Sequence, residues 1–238
     1  MGKHRFQTFT LSHKESDIWF GLSRECNLQE IKNFAYRKLI VLREIFDKYI
    51  EMHPNFFSSQ KPVQFDHTAP AIIKNMQEAA KKAETGPMAA IAGAFAQYIG
   101  ESITNEFHPK ELILENGGDD YIVIEKELIS SIYAGSSPLS NKIGLKIPAT
   151  FSPLGICTSA GSFGSSHSLG RADAVVIAAK NTMVADAYAT ALCNKIQSTA
   201  DIDKVIKFVE GKPEILASVF IKDDKIAVSG KLEIEILK

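Results

Sequence analysis

The chain has 238 residues, 45% hydrophobic and 23% charged, the balance of a folded globular protein rather than a disordered one. Its formal net charge of −1 gives no long-range attraction to nucleic acid or to an anionic membrane. No stretch reaches the roughly 18 apolar residues of a membrane span, and three scattered cysteines without a CxxC fit a reducing compartment. The expectation is therefore a cytoplasmic protein with neither nucleic acid nor membrane as partner.

In chain order, residues 6–11 and 18–22 read as a hairpin. Asn27 caps a long helix whose apolar stripe is Leu28, Ile31, Ala35, Leu39, Leu42, Phe46 and Tyr49, ending before Pro54. Residues 55–68 read as a loop, with a brief strand at 63–65. Pro70 opens a second helix to about Ala83, and Gly86-Pro87 breaks it before a third from Met88 to Ile103. Strands at 112–114 and 121–124 flank Asn116-Gly117-Gly118-Asp119, a good hairpin turn that also lets a flat ligand approach.

Further strands are expected near 132–133 and at 143–147. A small-residue loop follows, from Gly155 to Gly170, then an apolar strand at 174–179 and a helix from Asn181-Thr182. A helix over 202–210, a hairpin of 218–222 with 225–228, and an alternating strand at 232–236 complete the chain. Without a regular βαβ alternation, the fold class is α+β.

Asp186 and Thr190 lie four apart on one helix and share a face. A carboxylate beside a hydroxyl is a hard-oxygen pair suited to Mg²⁺. The same spacing also describes an alanine-rich packed helix with an aspartate in its first turn. Thr158-Ser159-Ala160-Gly161-Ser162 can turn N–H groups and hydroxyls toward a diphosphate, or be a surface loop. His167, further along the same small-residue loop, could orient a ligand or move a proton. Ser162, His167 and Asp173 nominally furnish a hydrolase triad, but no GxSxG elbow accompanies them.

Taken together, these stretches resemble the ApbE superfamily, flavin transferases that move FMN from FAD onto a protein threonine. The family's GIAKGYA-type helix start resembles Ala90-Ile91-Ala92-Gly93-Ala94-Phe95-Ala96, and its NxGGD turn matches Asn116-Gly117-Gly118-Asp119. Its TSG segment resembles Thr158-Ser159-Ala160-Gly161, its histidine His167, and its ADALATA helix Ala185-Asp186-Ala187-Tyr188-Ala189-Thr190-Ala191. The motifs keep their order over about residues 84–192, and the likeness is to a short branch of the superfamily.

The resemblance implies one ApbE-like domain over 1–238, with mixed or antiparallel sheets and packed helices. It implies FAD bound by Ala90, Gly93, Asn116, Gly117, Gly118, Asp119, Thr158, Ser159, Gly161, Ser162 and His167, and Mg²⁺ held by Asp186, Thr190 and the carbonyl near Ala90. Asp186 and His167 would be the catalytic residues, with a protein acceptor as second partner and a homodimer as the assembly. The expected activity is FMN transfer from FAD or cleavage of its diphosphate. The alternative is a flavin or nucleotide binder that kept the fold without the transfer. Three departures stand out: the family lysine falls at Gly93, the chain is expected to be much shorter than the transferases, and the family's DPxTG-like stretch after the histidine is missing.

Overall fold

The computed structural model describes residues 5–161 and 168–237. Strands β1 (Phe6–His13) and β2 (Ser16–Ser23) form the expected antiparallel hairpin, with Phe9 and Leu11 buried beside Ile18, Phe20 and Leu22. Helix α1 (Leu28–Met52) starts where Asn27 accepts the Glu30 N–H at 3.3 Å, and its buried stripe includes Ile31, Ala35, Leu39, Phe46 and Tyr49. Pro54 then opens a one-turn helix, α2 (Pro54–Ser58), inside the expected loop, because proline suits a first helical position. The strand expected at 63–65 is absent, since that segment pairs with no sheet among the described residues.

Helix α3 (Ala71–Ala83) follows Pro70, and a 3₁₀ turn (Pro87–Ala90) leads into α4 (Ile91–Phe107). Strands β3 (Leu112–Asn116) and β4 (Asp119–Val123) form the second hairpin. Strand β5 (Leu128–Ser131) lies just before the position read from sequence, and β6 (Ile143–Ile147) falls on it. Strand β7 (Leu154–Ser159) occupies the first half of the expected small-residue loop. After it come β8 (Ala174–Ala179), α5 (Thr182–Asn194), α6 (Ile202–Val209), β9 (Ile215–Lys222), β10 (Lys225–Gly230) and β11 (Glu233–Ile236).

Eight strands form one antiparallel sheet in the order β1-β2-β3-β4-β7-β8-β9-β10, and β11-β6-β5 form a second. Helices cover one face of the large sheet, where Phe20, Leu114, Tyr121 and Ile177 meet Ile31, Phe95 and Tyr188. The small sheet covers the other, where Ile113, Ile122, Ile156 and Val176 meet Leu128, Leu145 and Ile147. Strand β8, Ala-Val-Val-Ile-Ala-Ala, is apolar throughout because both its faces are covered. Helix α5 is buried nearly all round, so its alanines let β7, β8, α3 and α4 close onto it. This three-layer α+β arrangement places the ends of β3, β4 and β7 beside the starts of α4 and α5.

Candidate functional site

The β3–β4 turn is the hinge point of the site. Gly117 and Gly118 sit at φ +68 and +100, values that favour glycine, and so close the hairpin in two residues. The Gly118 N–H donates to Glu115 Oε1 at 2.7 Å, and the Gly118 carbonyl accepts the Thr158 N–H at 2.9 Å. Asn116 Nδ2 donates to the Ala92 carbonyl at 3.0 Å. One turn thus ties the end of β7 to the start of α4.

Asp186 reaches the same place from α5. Its Oδ2 accepts the Gly93 N–H at 2.8 Å, and the Ala92 N–H also bonds it. These are first-turn donors of α4 that the helix itself leaves unsatisfied. One turn further along α5, Thr190 Oγ1 lies 3.1 Å from Ser159 Oγ. Asp186 is the fifth residue of α5 rather than part of its first turn, so a local dipole effect does not explain it.

Gly93 is required for this approach. A Cβ there would stand 2.6 Å from the Thr182 carbonyl oxygen and 2.9 Å from Asp186 Cβ. The lysine of the resembled motif therefore has no room at this position.

Burial pushes the Asp186 carboxyl up to about 7, against the pull of the Gly93 and Ala92 N–H groups. Asp119 is driven well above the carboxylate range, first by burial and then by the Asp186 charge. Cys157, buried beneath them, is pushed well up by burial and by both aspartates, which makes it an inert thiol at neutral pH.

These groups border a cleft of about 800 Å³ that wraps the end of the large sheet. Of the residues read from sequence, Asn116, Gly117, Gly118 and Asp119 line it, as do Thr158, Ser159, Asp186 and Thr190. Ala90, Gly93 and Gly161 do not: Ala90 is buried, Gly93 is packed on α5, and the Gly161 N–H donates to the Ala172 carbonyl at 2.8 Å. Ser162 and His167 lie outside the described residues. Thr158 and Ser159 belong to the end of β7 rather than to a loop.

The structure adds Asp120, Ser130 and Ile132 to the cleft, the last two from β5 and the residues after it. Alternation could have placed Asp120 on the face opposite Asp119, but the small sheet's position had no local signal. No lysine or arginine lines the cleft among the described residues.

The family described as AbpE bacteria matches residues 1–207. The chain belongs to this family. A UPF0280 protein of Methanococcus aeolicus is 39% identical over 77% of this chain and 74% of that protein. A UPF0280 protein of Methanocaldococcus jannaschii is 36% identical over 78% of this chain and 77% of its own length.

Among solved structures, the ApbE protein of Thermotoga maritima superposes with a TM-score of 0.60 at 12% identity, over 94% of this chain and 97% of that one. The apo flavinyl transferase ApbE of Pseudomonas stutzeri gives 0.56 at 12% identity, over 94% of each chain. The AbpE family member described here thus has the ApbE fold. The expectation of a much shorter chain is corrected, because nearly the whole of those two chains is matched. No helix among the described residues is long and apolar enough to cross a membrane.

Proposed function

We propose that the chain, as one domain, binds a flavin dinucleotide with Mg²⁺ in the cleft, and transfers FMN from FAD to a protein threonine or cleaves the FAD diphosphate. The observation that carries this reading is the Asp186–Thr190 pair on a cleft wall that has no lysine or arginine among the described residues. A diphosphate placed there needs a cation, and the wall supplies hard oxygen donors for one.

The donor set fits Mg²⁺ in kind. No group of three or more His, Cys, Asp or Glu side chains gathers as a metal site among the described residues. That matches an ion held by one carboxylate, a hydroxyl, backbone carbonyls and ligand phosphate oxygens rather than by an all-protein cage. Asp186 and Thr190 would hold it, with a carbonyl near Ala90. When bound, the ion would neutralise charge developing on the leaving phosphate.

The chain's own residues would do the rest. The Gly93 and Ala92 N–H groups fix the Asp186 carboxylate, and Ser159 fixes the Thr190 hydroxyl. Asn116 and the Gly117-Gly118 turn would form a flat wall for a ring, with Ile91 and Ile156 as its apolar lining. At about 800 Å³ the cleft is of a size common for cofactor sites. His167 would orient the acceptor or move its proton.

A second reading, a flavin binder without transfer, is favoured by Gly93, where packing on Thr182 leaves no space for a phosphate-binding lysine. The test is the thermal midpoint with FAD, FMN and ADP, each with and without Mg²⁺, since a ligand of the folded state raises it. An FAD shift that needs Mg²⁺ and is lost in both Asp186→Ala and Asp186→Asn supports the metal pocket, and release of FMN and AMP then separates enzyme from binder. No shift with any of the three ligands would sink the flavin reading.

A further inference from the structure

A second cavity, of about 260 Å³, lies between β2–β4 and the small sheet. It is lined by Trp19, Ile113, Glu115, Asp120, Ile122, Leu128 and Ser130, and shares Glu115, Asp120 and Ser130 with the main cleft. It far exceeds the 10–15 Å³ or so that one water needs. Its apolar walls, Trp19, Ile113, Ile122 and Leu128, are its own and do not line the cleft.

Strand register builds its polar end. Trp19 stands opposite Glu115 on β2–β3, and Glu115 opposite Asp120 on β3–β4, so the three form one row on the small-sheet face. Glu115 Oε1 is engaged by the Gly118 N–H. The Asp120 carboxylate has no hydrogen bond or ion pair among the described residues, and burial, then the Glu115 charge, pushes it up to about 7.

No lysine or arginine lines this cavity among the described residues. Two carboxyl groups facing one cavity, with no basic side chain among the described residues that line it, favour a cation, whose arrival would also promote ionisation of Asp120.

The remaining walls decide which cation. Ile113, Ile122, Leu128 and the Trp19 ring offer no ligand to a hydrated metal ion, and Ser130 adds a single hydroxyl. A hard cation would lose its water to aliphatic walls. An organic cation meets every wall: its charged head the two carboxylates, its stem the aliphatic side chains, and its cationic end the indole.

We propose that this side pocket binds an alkylammonium or guanidinium group carried on a short apolar stem. Such a group comes either from a free amine or from a lysine or arginine side chain presented by a polypeptide. The assignment does not rest on flavin binding.

Trp19 is the one tryptophan of the chain, so its emission reports on the pocket directly. The full chain at neutral pH is titrated with n-butylamine, n-butylguanidine and, as neutral control, n-butanol. The expected result is a saturable change with the two cations and none with the alcohol. Asp120→Asn and Glu115→Gln should each weaken cation binding at least about tenfold, since each removes one charged partner of a charge-assisted contact.

Putrescine and Nα-acetyl-lysine methylamide then identify the source. Tighter binding of the diamine points to a free amine, and tighter binding of the blocked lysine to a polypeptide side chain. Either supports the pocket. No saturable response to any cation, an equal response to n-butanol, or unchanged affinity in a folded Asp120→Asn chain would overturn it. The comparison of n-butylamine with n-butanol needs no variant, so a misfolded substitution leaves the test intact.

Discussion

Asp119 and Asp120 are adjacent in sequence and face opposite sides of one sheet, as the two-residue period of a strand requires. On the helix side, Asp119 stands near Asp186, whose carboxylate is clasped by N–H groups at the start of α4. On the small-sheet side, Asp120 pairs with Glu115 beside an indole and three aliphatic side chains, and no group among the described residues donates to its carboxylate. The two carboxylate pairs differ in what surrounds them, not in what they are. Fixed backbone donors and hydroxyls suit a small hard ion, whereas an open apolar chamber suits a cation that brings its own hydrophobic stem. The two sides are coupled, since the Asp120 and Glu115 charges also help raise Asp119, but each is disturbed most directly by its own variants and its own ligand.

The largest expected effect falls on the helix side. Gly93→Ala places a methyl against the Thr182 carbonyl oxygen, a backbone atom that cannot swing away. Overpacking of this kind costs about 1–3 kcal/mol, and the upper end is expected here. The thermal midpoint should fall by roughly 2–4 °C for each kcal/mol. A midpoint within a degree of the parent chain would show that α4 and α5 are less tightly opposed than the distance implies. The Trp19 response to n-butylamine should be kept in the folded variant.

Next comes Asp186→Asn, which keeps an acceptor for Gly93 while removing the charge. With FAD and Mg²⁺ at about 100 times their dissociation constant, the parent chain should gain about 2.7 kcal/mol, and the variant should gain none. Thr190→Val is smaller. It removes the bond to Ser159 Oγ, at a cost of about 1 kcal/mol, and should weaken the Mg²⁺ dependence of any FAD shift without abolishing it. A Thr190→Val chain with an unaltered Mg²⁺ titration would remove Thr190 from the metal site.

Much of this contrast was legible before the fold. Local signals marked the Asn27 cap, the Asn116-Gly117-Gly118-Asp119 turn, strand β8 and helix α5, because each depends on residues close in sequence. Strand β7 was hidden because Gly155 and Ser159 favour turns locally, while pairing with both β4 and β8 overrides them. The small sheet was hidden for another reason. It joins β5 and β6 to β11, far away in the chain, and no local pattern encodes that pairing. The side pocket depends on it, since Leu128 and Ser130 close the chamber from β5. Register, not composition, put Trp19, Glu115 and Asp120 in one row.

The smallest expected effect bears on that row and is read through pH. A carboxyl whose folded value is raised from 3.8 to about 7 binds its proton more tightly when folded. Between those values the native state holds more protons than the unfolded chain, so stability falls as pH rises. Its contribution is fully present below about pH 4 and lost once pH passes about 7. The ideal slope is about 1.4 kcal/mol per pH unit, but Asp120 is half-buried and partly screened, so a total near 1 kcal/mol is expected.

Asp120→Asn removes this dependence. Relative to the parent, the variant should therefore gain stability in urea unfolding as pH is raised from about 4 to about 8. Parallel curves for the two chains would show that Asp120 carries no such shift. Adding n-butylamine at the alkaline end supplies the missing counter-charge, so it should restore the parent toward the variant and leave the variant unchanged. The same addition should do nothing for Asp186→Asn beyond what it does for the parent, because that carboxylate faces the other side of the sheet.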